Sequence, residues 1–578
     1  RRAAALCEER AVIARFRNAA AGRRIDPFTS IAAGLSVAVA LLILYPLAHV
    51  LLATFFPDGR FDSAPFHAVA QSDLGALLVN TGMVIGSAAL VAVAFGSLFA
   101  WLSERTDIGL NAFGNLLPVL PLLIPPIAGA IGWVLLGAPR AGFLNAGANA
   151  LATALGLAAP GQVVNIFSFP GMVFVYSVYL LPHVYLTVSA GLRNLDPTLE
   201  EAARVSGAGP LRTLLSVTLP AILPQVISGG ILALITGFAL FSVPLVIGGQ
   251  AGIEILSVRI VHLMTASFPP RVGEAMILGL VIVAVIGASW WVQRLVLRRG
   301  NFAIIGGKGR RSVSVALGPL LWPARALMSL YVLIASVLPV TALVLVSLQP
   351  FWTPNLARVR LSLDNYRTLF SSGFVREGLA NSLVLGIAAA TVGMLLAAII
   401  VFWIDRNRAR PLAVFIDATT KLPAAVSHLV VAIAFIAAFA GAPFYLHGTV
   451  LILFLAYIVL YTPQSTLTAN AALVQVGPQL SEASLVAGAG QGRTFVNVTL
   501  PLMTPGLIAG WTMLFVLVAG DITASSMLAG SRNPVAGFVI LDLWTNGAFP
   551  PLAAFAVVVT AALASVVVAS LWLTRRRS

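Results

Sequence analysis

The sequence predicts an all-α integral membrane protein with about twelve transmembrane helices, arranged as two tandem six-helix domains of the same orientation. Of its 578 residues, 59% are hydrophobic and 10% are charged. Apolar runs of about twenty residues, the length that a helix needs to cross a bilayer, recur along the chain. A charged stretch of 22 residues occurs twice, 281 positions apart with 13 identical positions, as LEEAARVSGAGPLRTLLSVTLP at 199–220 and LSEASLVAGAGQGRTFVNVTLP at 480–501.

The apolar runs place the transmembrane helices, six in each half of the chain. The predicted spans are 31–55, 78–102, 113–136, 168–190, 219–248 and 273–295, then 326–348, 378–403, 413–440, 448–471, 502–530 and 552–573. The stretch 142–166 is also apolar, but Gly, Asn and Pro interrupt it. It therefore predicts a short outer-face or re-entrant helix.

The repeat divides the chain into two domains and two basic segments. These are a cytosolic segment 1–30, a first domain 31–296, a cytosolic linker 297–325 and a second domain 326–578. The pairing extends beyond the repeated stretch, to Asn80 with Asn381, Pro121 with Pro423, Pro182 with Pro463, and Glu104-Arg105 with Asp405-Arg406. Because six spans is an even number, both domains enter the membrane from the same side, as parallel repeats.

Lysine and arginine are distributed unequally between the two predicted faces. With the N-terminus inside, 26 of the 35 Lys and Arg residues fall in inner segments, which is typical of cytoplasmic loops. Both termini are therefore predicted to be cytoplasmic. This bias and anionic lipid at the inner leaflet account for the net charge of +15, which argues against nucleic-acid binding. The first apolar run is too long for a signal-peptide core and predicts a retained anchor, and the single Cys7 excludes disulfides within the chain.

Each copy of the repeated stretch predicts a helix, a glycine elbow and a second helix outside the hydrocarbon. In the first copy, Pro197 favours a helix start, Glu200 and Glu201 suit the positive end of the helix dipole, and Gly207 permits a turn. An ordinary cytosolic loop is the alternative interpretation. It does not explain the duplication, because surface loops vary freely in sequence.

The spacing of these residues resembles the EAA loop of binding-protein-dependent ATP-binding cassette importer permeases. The second copy keeps the spacing, with serine at the third position and valine in place of isoleucine, and the fused two-domain layout resembles the iron(III)-type permeases of bacterial inner membranes. The resemblance implies that the loops are coupling helices that dock on two copies of a cytosolic ATPase, while a periplasmic binding protein delivers the substrate. The residues it assigns to coupling are Glu201, Ala202, Ala203, Gly207, Arg212, Glu482, Ala483, Ser484, Gly488 and Arg493.

ATP chemistry is not expected on this chain. The nearest approach to a phosphate-binding loop is GGKG at 306–309, which lacks the earlier glycine and the Ser or Thr that should follow Lys308. The sequence also has no nucleophile elbow, HExxH pair or carboxylate cluster, so it predicts no catalytic residue, no metal site and no bound cofactor. ATP and magnesium are expected on the partner subunits.

Polar residues inside the spans are the candidates for contact with substrate. The candidates are Asp521, Ser525, His428, His183 and Ser242. Asp521 has a leucine, Leu240, at the corresponding position of the first half. The alternatives are a structural carboxylate bonded to Thr523, Ser525 or Ser526, and histidines that only hydrogen-bond between helices.

The predicted outer loop before span 8 is unusually basic. Its residues Arg358, Arg360, Arg367 and Arg376 predict either a docking surface for an acidic binding protein or attraction of an anionic substrate, with a solvated loop as the alternative. The resemblance favours ferric iron as substrate, and leaves thiamine, phosphonates and sugar phosphates open. An ion-coupled secondary transporter is the competing class of function.

Overall fold

The computed structural model describes residues 27–57, 59–108, 117–196, 198–299, 315–355 and 359–577. Within these ranges the chain is almost entirely helical. No strand occurs there, and a single isolated bridge joins Thr106 to Val315. Most of the predicted basic segment 1–30, the greater part of the linker, and Arg358 lie outside the described residues.

The first half contains thirteen α-helical segments among its described residues. They are α1 Pro27–Phe55, α2 Ala64–Ala70, α3 Leu74–Arg105, α4 Pro126–Gly137, α5 Phe143–Ala154, α6 Phe169–Asn194, α7 Thr198–Val205, α8 Pro210–Thr213, α9 Leu219–Ala221, α10 Leu223–Ala239, α11 Gly249–Ala251, α12 Leu256–Thr265 and α13 Val272–Arg299. A 3-10 helix, Leu117–Leu123, precedes α4. Single π-helical turns, Leu214–Thr218 and Pro244–Gly248, lead into α9 and α11.

The second half repeats this order. Its helices are α14 Leu321–Val332, α15 Leu338–Ser347, α16 Asp364–Ser371, α17 Gly373–Arg406, α18 Pro411–Ala425, α19 His428–Phe439, α20 Val450–Val476, α21 Pro478–Val486, α22 Gln491–Thr494, α23 Leu500–Ala519, α24 Ser525–Leu528, α25 Ala536–Thr545 and α26 Phe549–Arg577. A 3-10 turn, Gly318–Leu320, precedes α14, and π-helical turns Leu333–Val337 and Phe495–Thr499 join α14 to α15 and α22 to α23.

The twelve predicted spans all correspond to helical segments, but they are not twelve simple rods. Nine helices in the described ranges are long and apolar enough to cross a membrane. The predicted spans 113–136, 219–248 and 413–440 are pairs of helices bent by 99°, 64° and 109°. A fourth bent pair, 244–265, was not predicted as an element of its own. The predicted outer-face helix within 142–166 is present as α5.

Two of the sharpest breaks occur at equivalent positions of the two halves. In the first half the 3-10 helix ends at Leu123. Pro125 is then extended, because the proline that follows it, Pro126, disfavours helical geometry in the preceding residue. In the second half Val426 and Ser427 are extended, and the Ser427 hydroxyl accepts a hydrogen bond from the Leu429 amide. Each break interrupts an apolar helix pair, and irregular backbone at membrane depth is tolerated only inside protein or along a cavity.

Predicted spans 219–248 and 502–530 extend too far. Their helices end at Ala239 and Ala519, about ten residues before the predicted ends. Hydropathy did not detect these ends, because the segments that follow are equally apolar. In these segments the chain forms separate short helices instead of continuing the long one. At the second end Gly520 and Asp521 stop the helix, and Asp521 then caps the next one.

The first span of each half packs on the other half. Helix α1 lies against α18 and α19 of the second domain, and α15 lies against α4 of the first. The second contact is close: a Cβ at Gly132 would lie 2.6 Å from the carbonyl oxygen of Pro339. Tyr331 also donates a hydrogen bond to the Val178 carbonyl across the same boundary. The two halves therefore share one core.

Gly132→Ala is expected to lower the melting temperature of the purified protein, because the added methyl group must displace the Pro339 backbone, a strain of about 1–3 kcal/mol. Gly82→Ala is the matched control, since Gly82 is also in a spanning helix and has open space where its Cβ would be. Equal melting temperatures for the two variants would contradict the close α4–α15 contact.

Candidate functional site

The repeated loops have the predicted helix, elbow and second helix in both copies. Helix α7 ends before Gly207, whose φ is +82°, and α21 ends before Gly488, whose φ is +87°. Both values lie in the left-handed region that glycine adopts without strain. Nothing lies within 4 Å of where a Cβ would be at either glycine, so the backbone conformation, and not a lack of space, requires the residue.

The ends of the two loop helices expose apolar side chains at equivalent positions. Val205 is 90% exposed and Val486 is 89% exposed, and Leu199 and Leu480 are also exposed. Isolated exposed apolar residues are common on any protein surface. Here they recur in both copies of a charged segment, which is typical of a surface that a partner protein covers.

The other sequence-predicted loop residues lie around these tips. Glu201, Ala202, Glu482 and Ala483 are exposed, and Ala203 and Ser484 are half-buried. Ser484 shares a hydrogen bond of 2.9 Å with Thr494. Arg212 and Arg493 are exposed and form no ion pair within the described part of the chain, so they are available to a partner protein.

The first loop is fixed to its own domain by Glu200, a residue that the sequence reasoning used only as a helix-start signal. Its carboxylate lies 3.2 Å from Arg105 Nε and accepts a hydrogen bond of 2.7 Å from the Thr218 hydroxyl. Arg105 in turn donates to the carbonyls of Leu192 and Leu195, at 2.7 and 3.1 Å. Both charged side chains are mostly buried, so this cluster clamps α7 to the ends of α3 and α6. The repeated charge pair at 104–105 and 405–406 was the available signal for it.

The second loop lacks this ion pair. The position of Glu200 is held by the buried Ser481, and the counterpart of Arg105 is Arg406, which lies 5.4 Å from the centre of the Phe402 ring. Instead, the start of α1 packs on the loop: Phe28 contacts Phe495, with ring centres 5.2 Å apart, and Thr29 donates a hydrogen bond of 3.0 Å to Gln491. The two loops thus have equivalent exposed ends but different attachments.

Asp521 is the centre of a second group of polar residues, inside the apolar layer. Its Oδ2 accepts hydrogen bonds of 3.1 Å from the amides of Ala524 and Ser525, and Tyr461 lies 3.5 Å from its Oδ1. The structural alternative expected a bond to Thr523, Ser525 or Ser526, and the bond from the Ser525 amide agrees with it. His428 packs edge-on against Tyr461, with ring centres 5.5 Å apart.

The structure therefore brings together three of the five sequence-predicted path residues, Asp521, Ser525 and His428. His183 and Ser242 lie in the first half, and within the described residues no hydrogen bond or ring contact joins either of them to this group. Sequence reasoning missed Tyr457 and Tyr461, since tyrosines in an apolar span give no distinctive signal. Both are buried beside Asp521.

A cavity of about 580 Å³ lies between the two halves, on the face predicted to be outside. Arg140 and Gln250 of the first half and Trp352 and Trp544 of the second line it. Of the outer arginines predicted from the sequence, Arg360, Arg367 and Arg376 are exposed, and Arg367 lies 3.5 Å from Asp364. Arg358 lies outside the described residues.

Comparison with known families identifies both halves. Residues 92–299 and 389–578 match the family described as binding-protein-dependent transport system inner membrane component. The chain belongs to this family. Each matched segment contains one copy of the repeated loop, so the chain is a two-domain importer permease of the inner-membrane class, with a transport role and not an enzymatic one.

Relatives of this permease match over most of its length. The ferric transport system permease protein FbpB of Actinobacillus pleuropneumoniae is 23% identical over 92% of this chain and 76% of the relative. The Fe(3+)-transport system permease protein FbpB 2 of Haemophilus influenzae is 22% identical over 79% of this chain and 81% of the relative. The molybdenum transport system permease protein ModB of Escherichia coli is 33% identical, but over only 25% of this chain and 59% of the relative.

Proposed function

We propose that this permease passes ferric iron from a periplasmic binding protein to the cytoplasm, driven by two ATPase subunits that dock on loops 199–220 and 480–501. The observation that carries the proposal is the pair of equivalent loops, each with a left-handed glycine and an exposed valine at its helix end. A glycine elbow fixes the angle of the loop helix, so that movement of a docked subunit is transmitted to the spans.

The assignment of iron rests on two ferric permeases, which match 92% and 79% of this chain and 76% and 81% of their own length. In this arrangement both termini face the cytoplasm, and ATP and magnesium are bound by the ATPase subunits. The exposed arginines Arg360, Arg367 and Arg376, with Arg358, would meet an acidic surface of the binding protein. Lipid surrounds the outward faces of the spans.

Import of an oxyanion is the second candidate, because two observations favour it. Arg140 places a positive charge in the outer cavity, and a quarter of the chain is similar to a molybdenum permease. A cation entering alone would be repelled by this arginine, whereas an anion or an anion-bound metal would be attracted.

The test is uptake of radioactive ferric iron by proteoliposomes that contain the permease and its ATPases, with the iron-loaded binding protein outside and ATP inside. We expect uptake that requires both ATP and the binding protein. An ATPase variant that cannot hydrolyse ATP is the control. Uptake of molybdate or a phosphonate in place of iron would retain the importer and overturn the substrate.

A further inference from the structure

The segment 520–524, which follows α23, lies between the helix breaks of both halves. A Cβ at Gly520 would be 3.9 Å from Cβ of Pro125, at the break of the first half. On the other side, His428 begins the helix after the second break and contacts Tyr461, which in turn lies beside Asp521. Asp521 is therefore placed where the irregular backbone of the two halves converges.

The group around Asp521 is rich in oxygen and has no positive charge. Asp521 is 8% exposed and is the only carboxylate residue in the described ranges that is so deeply buried. The Tyr461 hydroxyl lies 3.5 Å from its carboxylate, and Tyr457 is buried on the same helix, one turn before Tyr461. Among the described residues the only lysine or arginine buried to this degree is Arg105, which is bonded to Glu200 near the cytosolic loop.

The first half shows that the fold does not need this polar group. At the same offset of 281 residues, Asp521 corresponds to Leu240, Tyr461 to Leu180, and Ser525 to Pro244. Only Tyr457 has a counterpart of the same type, Tyr176. The Tyr176 hydroxyl donates a hydrogen bond of 3.0 Å to the Leu240 carbonyl. At these positions the first half thus has one phenol among apolar residues, whereas the second half has an acid and two phenols.

The chemistry of these side chains favours a hard, highly charged cation. Carboxylate oxygens bind hard metal ions, and phenolate oxygen is a ligand of iron in proteins. Oδ2 of Asp521 is held by two amides, whereas Oδ1 has a longer contact, 3.5 Å, with the Tyr461 hydroxyl, which also donates to the Leu517 carbonyl at 3.1 Å. Oδ1 is therefore the oxygen that would bind an ion. An anion would find no positive partner here.

We propose that Asp521, Tyr457 and Tyr461 form a transit site for ferric iron at the middle of the permease, with Ser525 and His428 at its edge. This inference rests on the proposed function and names the residues that would hold its substrate. Because Asp521 and both phenols are buried, the ion reaches the site when the two halves move apart, and each phenol that binds it releases its proton to the water that enters with it. The oxidation state of iron does not change.

The test uses the purified full-length permease titrated with ferric nitrilotriacetate. Binding of ferric iron by a phenolate gives a visible charge-transfer absorption band, which reports the tyrosines directly. We expect the band in the unaltered protein, a weaker band in Tyr461→Phe, its loss when both Tyr457 and Tyr461 are replaced by phenylalanine, and at least a tenfold weaker affinity in Asp521→Asn. Tyr176→Phe, the counterpart position in the first half, is the matched control and should keep the band.

Absence of the band in the unaltered protein, or a band of unchanged intensity and affinity in both Tyr461→Phe and Asp521→Asn, would overturn the site. Size-exclusion chromatography and circular dichroism identify any variant that fails to fold, and Tyr457→Phe then provides a second test of the same phenol pair. Uptake by the full transporter separates this inference from the proposed function. Iron uptake without the band would remove the site alone, whereas the band without iron uptake would retain the cation site and remove ferric import.

Discussion

Replacing Gly488 by aspartate is expected to abolish transport while leaving the permease in the membrane, and the same result is expected for Gly207→Asp. Both glycines have positive φ, so any side chain adds about 1–2 kcal/mol of backbone strain to the elbow. Aspartate also places a second carboxylate near Glu482 or Glu201, beside the exposed valine that a partner would cover. Strain changes the angle of the loop helix, and the charge opposes its burial.

The measurement is ATP-driven uptake together with ATPase activity stimulated by the loaded binding protein. Gly488→Ala adds the strain without the charge and should retain partial activity, reduced about 5- to 30-fold if the full strain opposes docking. Gly156→Asp is the matched control, because Gly156 also has positive φ and open space but follows α5, far from the loops in sequence. Normal uptake in both Gly207→Asp and Gly488→Asp would contradict the coupling role of the loops.

The helical architecture could be predicted from two signals in the sequence: the length of the apolar runs, and the repetition of one charged segment 281 residues later. A run of twenty apolar residues has one favourable conformation in lipid, and a duplicated loop reports a duplicated fold. The kink at Pro125 was also predictable, since proline restricts the residue before it. The equivalent break at Ser427 has no such signal in the sequence.

Other features depend on tertiary contacts that no local pattern records. Hydropathy could not locate the ends at Ala239 and Ala519, because the chain that follows is equally apolar and reverses instead of continuing. The contact of each half's first span with the other half likewise depends on tertiary packing, such as that of Gly132 against Pro339. For the candidate site, the sequence pointed to Asp521, because an isolated acid in an apolar run is conspicuous. Tyr461 was missed, since only the fold brings it to that acid.

Glu200→Ala is expected to lower the stability of the permease and to loosen the first loop, because it leaves Arg105 buried without its ion pair. Breaking a buried pair costs about 3–5 kcal/mol, and the lower end applies here since Arg105 keeps its bonds to two carbonyls. The loss should appear as a lower melting temperature. The exposed neighbour Glu201 is the matched control: Glu201→Ala removes the same charge from the same helix without touching Arg105, and should leave the melting temperature unchanged.

The double variant Glu200→Ala with Arg105→Met separates the buried charge from the lost contacts. If the unpaired guanidinium causes the destabilisation, an apolar side chain of similar length should restore much of the stability, because the desolvation cost of the charge is removed with it. Arg105 also joins the linker to the loop, since its carbonyl accepts a 2.8 Å hydrogen bond from the Val315 amide. Because that bond is made by the backbone, it survives the substitution, so the double variant should be stable but poorly coupled through the first loop. A double variant that is less stable than Glu200→Ala would show instead that Arg105 holds α3 and α6 together chiefly through the Leu192 and Leu195 carbonyls, and that Glu200 serves only to position it.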